Sequence, residues 1–184
     1  MAKKNPYYER IQQMGWKELR QLWHQIRQRK TQPEWPPGRA LEYFLLRGFE
    51  LEEAEVVYPF EVYRQNEIVE QIDGVVFWNN FTVLMECKDV SRAVNFDPIA
   101  KLRSRLMTRP SNVIGAFFSM AGYTIPAQIV AQHLAPQTIL LWEPSDIDFS
   151  LRNRYFCKGL SLKYKKCVLV GRPDFHLDNR LADE

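Results

Sequence analysis

The 184-residue chain lacks much of what several large protein classes require. It has three cysteines, Cys87, Cys157 and Cys167, an odd number with no close pair. That argues against a disulfide-built scaffold and fits a reducing compartment, so a cytoplasmic location is expected. There is no CxxC, and His24, His133 and His176 are scattered without an HExxH, which disfavours a zinc site. No GxSxG elbow, P-loop or GxGxxG occurs, which disfavours α/β-hydrolases, nucleotide motors and dinucleotide enzymes. The start, MAKKNPYYER, has no apolar core behind its lysines and does not read as a secretion signal. From Pro110 to Trp142 there is no Asp, Glu, Lys or Arg. A spanning helix needs about 20 apolar residues in a row. This stretch is broken by Gly115, Gly122, Pro126, Gln128 and Pro136, so no membrane segment is expected and a buried strand–helix–strand passage is.

What is present is ordinary globular composition, 46% hydrophobic and 26% charged, enough for one domain with a sizeable core. The net charge of +3 is unevenly spread. Residues 1–30 carry a balance of +6, residues 31–150 of −7 and residues 151–184 of +4. Basic ends attract polyanions, although solvated helix faces give the same pattern. An acidic middle between them suits a polyanion held by its edges, with carboxylates holding a cation at the centre.

Local patterning gives the order of elements. Residues 6–30 predict helix with a break at Gly15, and Leu19, Leu22, Trp23 and Ile26 form an apolar stripe. Residues 31–38, TQPEWPPG, form a connector. A helix is expected over 38–47, capped by Gly48. Residues 54–63 read as a strand interrupted by Pro59, edge-like or bulged. Residues 68–78 and 81–88 read as strands joined at Asn79-Asn80. Asp97-Pro98 marks a helix start, with Ile99, Leu102 and Leu106 on one face. A buried strand over 112–119, a helix over 126–134 and a buried strand over 138–142 follow. A basic helical segment and a short strand in KKCVLVG come last. The expected architecture is an α/β/α sandwich on a mixed sheet, its final strands parallel because helical crossovers join them. The expected divisions are a helical appendage over 1–37, a core domain over 38–172 and a frayed acidic tail over 173–184.

The chemistry concentrates between Gln71 and Lys88. A two-residue turn at Asn79-Asn80 pairs Trp78 with Phe81, and the same register sets Asp73 opposite Glu86. The two fall in a non-hydrogen-bonded pair, where side chains approach most closely. Strand alternation puts Lys88 on the same face. Like charges directly opposite are normally avoided. At about 4–5 Å and an effective dielectric of about 20 they repel by roughly 3–4 kcal/mol. Lys88 offsets part of this, and a divalent cation between the carboxylates turns the repulsion into a binding site. Magnesium suits it, taking one or two carboxylates plus waters and substrate phosphate. A lysine at the rim can orient or help activate the attacking water and stabilise negative charge developing on phosphorus.

Asp73, a twelve-residue gap and then Glu86-Cys87-Lys88 resembles the PD-(D/E)XK signature of restriction-endonuclease-like nucleases. The Glu-Cys-Lys form in apolar strands is most similar to Mrr-type (type IV) restriction endonucleases. The resemblance covers roughly residues 38–142. It implies a restriction-endonuclease-like fold and a Mg2+-dependent endonuclease acting on DNA in restriction or defence, with Mn2+ as a substitute ion. It further implies that Asp73 and Glu86 bind the metal, that Lys88 acts at the nucleophilic water, and that Cys87 lends its backbone carbonyl to the metal. Many members place a glutamate on the first core helix, and Glu42 is the counterpart here. Glu42, Leu45, Leu46 and Phe49 share a helical face. That leaves Glu42 either aimed at the metal or at the edge of the stripe with its head in water. The proline of the signature is Ile72 here, and the separate DNA-reading domain common in Mrr-type enzymes has no evident counterpart.

Basic residues around this core are the expected nucleic-acid contacts. Lys101 and Arg105 are four apart on the helix after the motif, and either hold phosphates near the cut or form a solvated polar face. Residues 151–172 hold seven basic residues and no acid, with Lys163, Lys165 and Lys166 as backbone contacts. One site per chain cuts one strand, so a homodimer or a partner subunit is expected. Two rivals remain open: a catalytically silent nuclease fold that binds nucleic acid or scaffolds a complex, and the same chemistry on RNA or branched DNA.

Overall fold

The apolar stripes and the charge-free stretch assemble into three layers. The structure, a computed structural model, describes residues 6–58, 60–133 and 137–178. Helices α1 (Pro6–Gln12) and α2 (Trp16–Arg27) separate at Gly15, and α3 (Arg39–Glu50) follows the connector. A five-stranded sheet has the spatial order β1 (Glu55–Val57), β4 (Gly74–Trp78), β5 (Phe81–Lys88), β6 (Val113–Ser119) and β7 (Ile139–Trp142). β2 (Phe60–Arg64) and β3 (Glu67–Ile72) form a separate two-stranded hairpin. α4 (Phe96–Leu106) and α5 (Ile125–Gln132) are the crossovers, and α6 (Pro144–Asn153) and α7 (Phe156–Val170) follow the last strand.

β1–β4 and β4–β5 pair antiparallel, β5–β6 and β6–β7 parallel. This is the expected mixed sheet, and its parallel half follows from the two helical crossovers. Helices α1, α2, α3, α6 and α7 cover one face, and α4 and α5 the other. Alternate residues of β5 serve the two cores, with Val83, Met85 and Cys87 on the first side and Leu84 on the second. Among the described residues, no helix is long and apolar enough to cross a membrane.

Several local expectations are corrected. α3 does not stop at Gly48 but runs through it to Glu50, and Phe156 packs where a side chain at 48 would stand. The expected strand over 54–63 is two strands in two sheets, β1 and β2, and Pro59 lies outside the described residues. The expected strand over 68–78 is broken at Asp73 into β3 and β4. α4 is capped by Asn95, one residue before Phe96, and Asp97 lies in its first turn. KKCVLVG is the end of α7, not a strand, and closes on Gly171 at φ 65. A helix already formed overrides the β preference of a short valine-rich run. The stretch read as a frayed tail is packed as far as it is described, with Phe175 and Leu177 buried, while residues 179–184 lie outside the described residues. Nor does packing break at residue 37, since Ile11, Leu19, Leu22 and Trp23 share one core with α3 and the sheet.

One contact fixes where α3 meets the sheet. A Cβ built on Gly74 would stand 2.6 Å from both methyl carbons of Leu46. Only glycine lets the helix sit this close to β4, and Glu42 lies one turn before Leu46 on that helix. Gly74→Ala is therefore expected to destabilise the protein by about 1–3 kcal/mol through overpacking. Urea denaturation measures this, and an unchanged midpoint would show that Leu46 can move aside freely.

Candidate active site

The expected hairpin register holds for every pair from Trp78↔Phe81 to Gly74↔Met85. Asn79 takes the positive φ, 51°, that the turn requires. The ladder then stops one residue short of Asp73 and Glu86, so these two are not a backbone pair. Instead the Cys87 backbone N–H donates to Asp73 Oδ2 at 2.7 Å. The carboxylate replaces the missing strand partner. Asp73 is thereby fixed beside the end of β5, and it borders the same cleft as Glu86.

Glu86 is buried although charged. Its Oε1 accepts from Lys88 Nζ at 2.6 Å, as strand alternation requires, and its Oε2 accepts from Arg105 at 2.5 Å. Arg105 also faces Glu70 at 3.4 Å, and Arg109 meets Glu70 at 2.5 Å. Glu86, Arg105, Glu70 and Arg109 thus form a chain of alternating charge lining a cleft of about 840 Å3, and Lys88 extends that chain from Glu86 beyond the cleft lining. Sequence reasoning had no place for Glu70 or Arg109. Glu70 sits on the separate β2–β3 hairpin, 39 residues before Arg109, and nothing in local spacing joins them.

Glu42 borders the same cleft, and its side chain is 14% exposed. Its head therefore lies at the cleft, largely screened from solvent. Its carboxylate pairs with Arg39 at 2.6 Å. Burial raises its pKa and Arg39 opposes this, with Glu86 and Lys88 adding smaller effects of opposite sign. Glu42 is thus within the electrostatic reach of the site.

Burial pushes the Asp73 carboxyl up to about 7, helped by the negative charges of Glu86 and Glu42 and opposed by the Cys87 N–H and Lys88. For Lys88, burial disfavours the charge, but the hydrogen bond and charge of Glu86 and the charge of Asp73 outweigh it and hold the pKa above the ordinary lysine value. Lys88 is therefore an ammonium at neutral pH. It can orient a water or stabilise an anion, and it does not abstract a proton in this state. Burial raises the Cys87 thiol well above its ordinary value, so that side chain is inert and only its backbone is of use.

Among the described residues, no group of three or more His, Cys, Asp or Glu side chains is gathered closely enough to hold a metal ion. Two carboxylates, Asp73 and Glu86, remain as hard oxygen donors. With waters and a phosphate oxygen they match the usual protein share of a magnesium shell.

The other expected contacts divide. Lys101 is exposed on the cleft wall and forms no ion pair among the described residues. Arg105 is on that wall too, but bound to carboxylates. Lys163 is corrected outright. It is fully buried, pairs with Asp146 at 2.9 Å and donates to the carbonyls of Leu141 and Phe175, so it cannot reach a nucleic-acid backbone. Lys165 is exposed and Lys166 lies over the Phe175 ring, but neither lines the cleft. Their neighbour Tyr164 meets the Phe81 ring edge to face, at the opposite end of β5 from Glu86.

No protein-family model matches the chain, nor does any curated protein. Solved structures do resemble it. The small subunit of the heterodimeric restriction endonuclease R.BspD6I is 12% identical, with a TM-score of 0.57 over 89% of this chain and 92% of that one. The DNA modification-dependent restriction endonuclease AspBHI is 15% identical, with a TM-score of 0.39 over 90% of this chain and 39% of that one. The MspJI restriction endonuclease in complex with a 27-mer oligonucleotide is 13% identical, with a TM-score of 0.43 over 96% of this chain and 40% of that one. The first likeness spans nearly the whole of both chains. The fold is restriction-endonuclease-like, as the motif implies.

The Asp73 shift has a consequence for stability. A carboxyl whose folded pKa lies above its unfolded value binds the proton more tightly when folded, so the protein loses stability as pH rises from about 4 to about 7. In chelator, Asp73→Asn is expected to flatten that slope. Above pH 7 the variant should be more stable than the wild type by up to about 4 kcal/mol. Chemical denaturation at a series of pH values measures it, and parallel curves for the two proteins would refute the raised pKa.

Proposed function

We propose that the chain is a Mg2+-dependent phosphodiesterase acting on DNA, an endonuclease of the restriction or defence kind. The observation that carries this reading is the convergence of the Asp73 and Glu86 carboxylates on one open cleft, with the Lys88 ammonium hydrogen-bonded to Glu86. The restriction-endonuclease-like fold supports it. Asp73 and Glu86, with the Cys87 backbone carbonyl, would hold the ion, which supplies a polarised water and neutralises phosphate charge when bound. Lys88 lies beside Glu86, placed to orient the water and to stabilise charge on the phosphoryl oxygens. Glu42 sits at the edge of the site as a further acid. Lys101 takes a phosphate on the cleft wall, and Arg105 can do so only on leaving Glu86. Cutting both strands requires a second site, so the active species is a homodimer or a complex with another subunit. The R.BspD6I relative is itself a small subunit of a heterodimer, which supports that reading.

A second reading has its own observation. Lys88 and Arg105 already occupy both oxygens of Glu86, so the site is neutralised without any metal. A catalytically silent nuclease fold that binds nucleic acid would show the same pairing.

Plasmid cleavage separates the two. Cutting is expected in Mg2+ or Mn2+ and not in chelator, with Lys88→Ala slower by at least about a hundredfold. Equal cutting by wild type and Lys88→Ala would reject the assignment. Linear, branched, single-stranded and RNA substrates assayed in parallel test the choice of DNA. Metal binding is read independently by thermal denaturation. Mg2+ at a hundredfold excess over its Kd is expected to add about 2.7 kcal/mol of stability. The gain should be larger at pH 8 than at pH 6, where a protonated Asp73 competes with the ion, and absent in Asp73→Asn. A gain that survives in Asp73→Asn would place the ion elsewhere.

A further inference from the structure

A second hollow, of about 520 Å3, adjoins the site at Lys88. Its walls include Lys88, Asp89, Ser91 and Arg92 from the connection after β5, and Arg29 from the end of α2. Three cations there face one acid. Around the main cleft most basic groups are already engaged: Arg39 with Glu42, Arg105 with Glu86 and Glu70, and Arg109 with Glu70. Arg29 and Arg92 are exposed and form no ion pair among the described residues. Asp89 feels the charge of Arg29 without pairing with it. A polyanion gains most from cations that need not abandon a carboxylate first.

The backbone at Arg29 adds an independent observation. α2 ends with Arg29 N–H donating to Ile26 O at 3.0 Å and Lys30 N–H donating to Gln25 O at 2.9 Å. This closure puts Arg29 at φ 57, the left-handed position that glycine normally fills. An exposed arginine there carries a conformational cost with no burial to offset it. Its side chain borders the hollow beside Lys88.

We infer that Arg29 and Arg92 form a phosphate subsite that holds the DNA backbone next to the bond being cut, on the Lys88 side of the site. Lys101 holds the backbone on the cleft side. The N-terminal helices thereby become part of the substrate-binding surface. The inference rests on the nuclease reading and says where the strand lies on it.

The test is equilibrium binding of a fluorescent DNA duplex in EDTA, so that nothing is cut, over a range of KCl concentrations. Arg29→Gln and Arg92→Gln are each expected to reduce the slope of log K against log[salt] by about 0.9. Affinity should fall about five- to tenfold at 0.1 M salt. Arg29→Gly separates binding from folding, because glycine suits the positive φ. Its Tm is expected to equal or exceed that of the wild type while its affinity falls as in Arg29→Gln. A Tm that falls together with affinity would assign Arg29 a structural role and overturn the subsite. Wild-type slope and affinity in both Gln variants, with Lys101→Gln weakened, would overturn the subsite and leave the nuclease reading standing. Failure of the wild type to bind DNA at all would overturn both.

Discussion

The mutual repulsion of the half-buried Asp73 and the buried Glu86 near the carboxyl end of β5 sets what the neighbouring elements must supply. Two carboxylates in a medium of effective dielectric about 20 repel by several kcal/mol at contact distances. The Cys87 N–H holds one and Lys88 and Arg105 hold the other. These partners come from three parts of the chain. Cys87 and Lys88 follow from the strand itself, Arg105 arrives on the crossover helix, and Glu70 on the detached hairpin braces Arg105 in turn. Remove any one and the acids lose a counterweight, so sheet, crossover and hairpin are coupled through one cluster of charge.

That coupling also sorts the basic residues. A composition rich in lysine and arginine gives no information on which of them are free. The structure shows that the arginines nearest the carboxylates mostly balance acids, and that Lys101, Arg29 and Arg92, further out, form no ion pair among the described residues. An arginine bound to a carboxylate must break that pair before it takes a phosphate, and a half-buried pair resists this more than an exposed one. The inner arginines therefore set the geometry of the acids, and the outer ones are suited to meet a substrate.

How much of this could be read in the sequence depended on whether the controlling interaction was local. The β4–β5 register was legible to the residue, because a two-residue turn and strict alternation leave no other pairing. The apolar stripes of α2, α3 and α4 were legible for the same kind of reason. The break at Asp73 was not, since it arises where Leu46 presses on Gly74 and the chain turns out of the sheet. The Glu70 ladder was hidden because its members meet only after the hairpin and crossover have packed. Lys163 misled because a basic run was read as one surface, while α7 turns one lysine of that run inward. The tail misled because its polar composition gave no hint that Phe175 and Leu177 fill the gap between α7 and the last strand.

Lys163 supplies the contrast that gives the cleft its meaning. It and Asp146 are another buried charged pair, on the opposite face of the same sheet. There every group is answered. Lys163 donates to Asp146 and to two carbonyls, and Asp146 accepts from the backbone N–H groups of Glu143 and Leu177. Burial works against the Asp146 charge, but Lys163, His176 and those N–H groups outweigh it and hold its carboxyl below the usual range. This is what a charged pair looks like when its work is to pin the C-terminal segment to the sheet. Asp73, half-buried, has the opposite outcome, a carboxyl pushed up towards neutrality by burial and by the acids beside it. A fold that satisfies one buried charge so fully and leaves another crowded keeps the crowded one for something that folding alone does not require. A hard cation shared between the two acids is the partner that would relieve it.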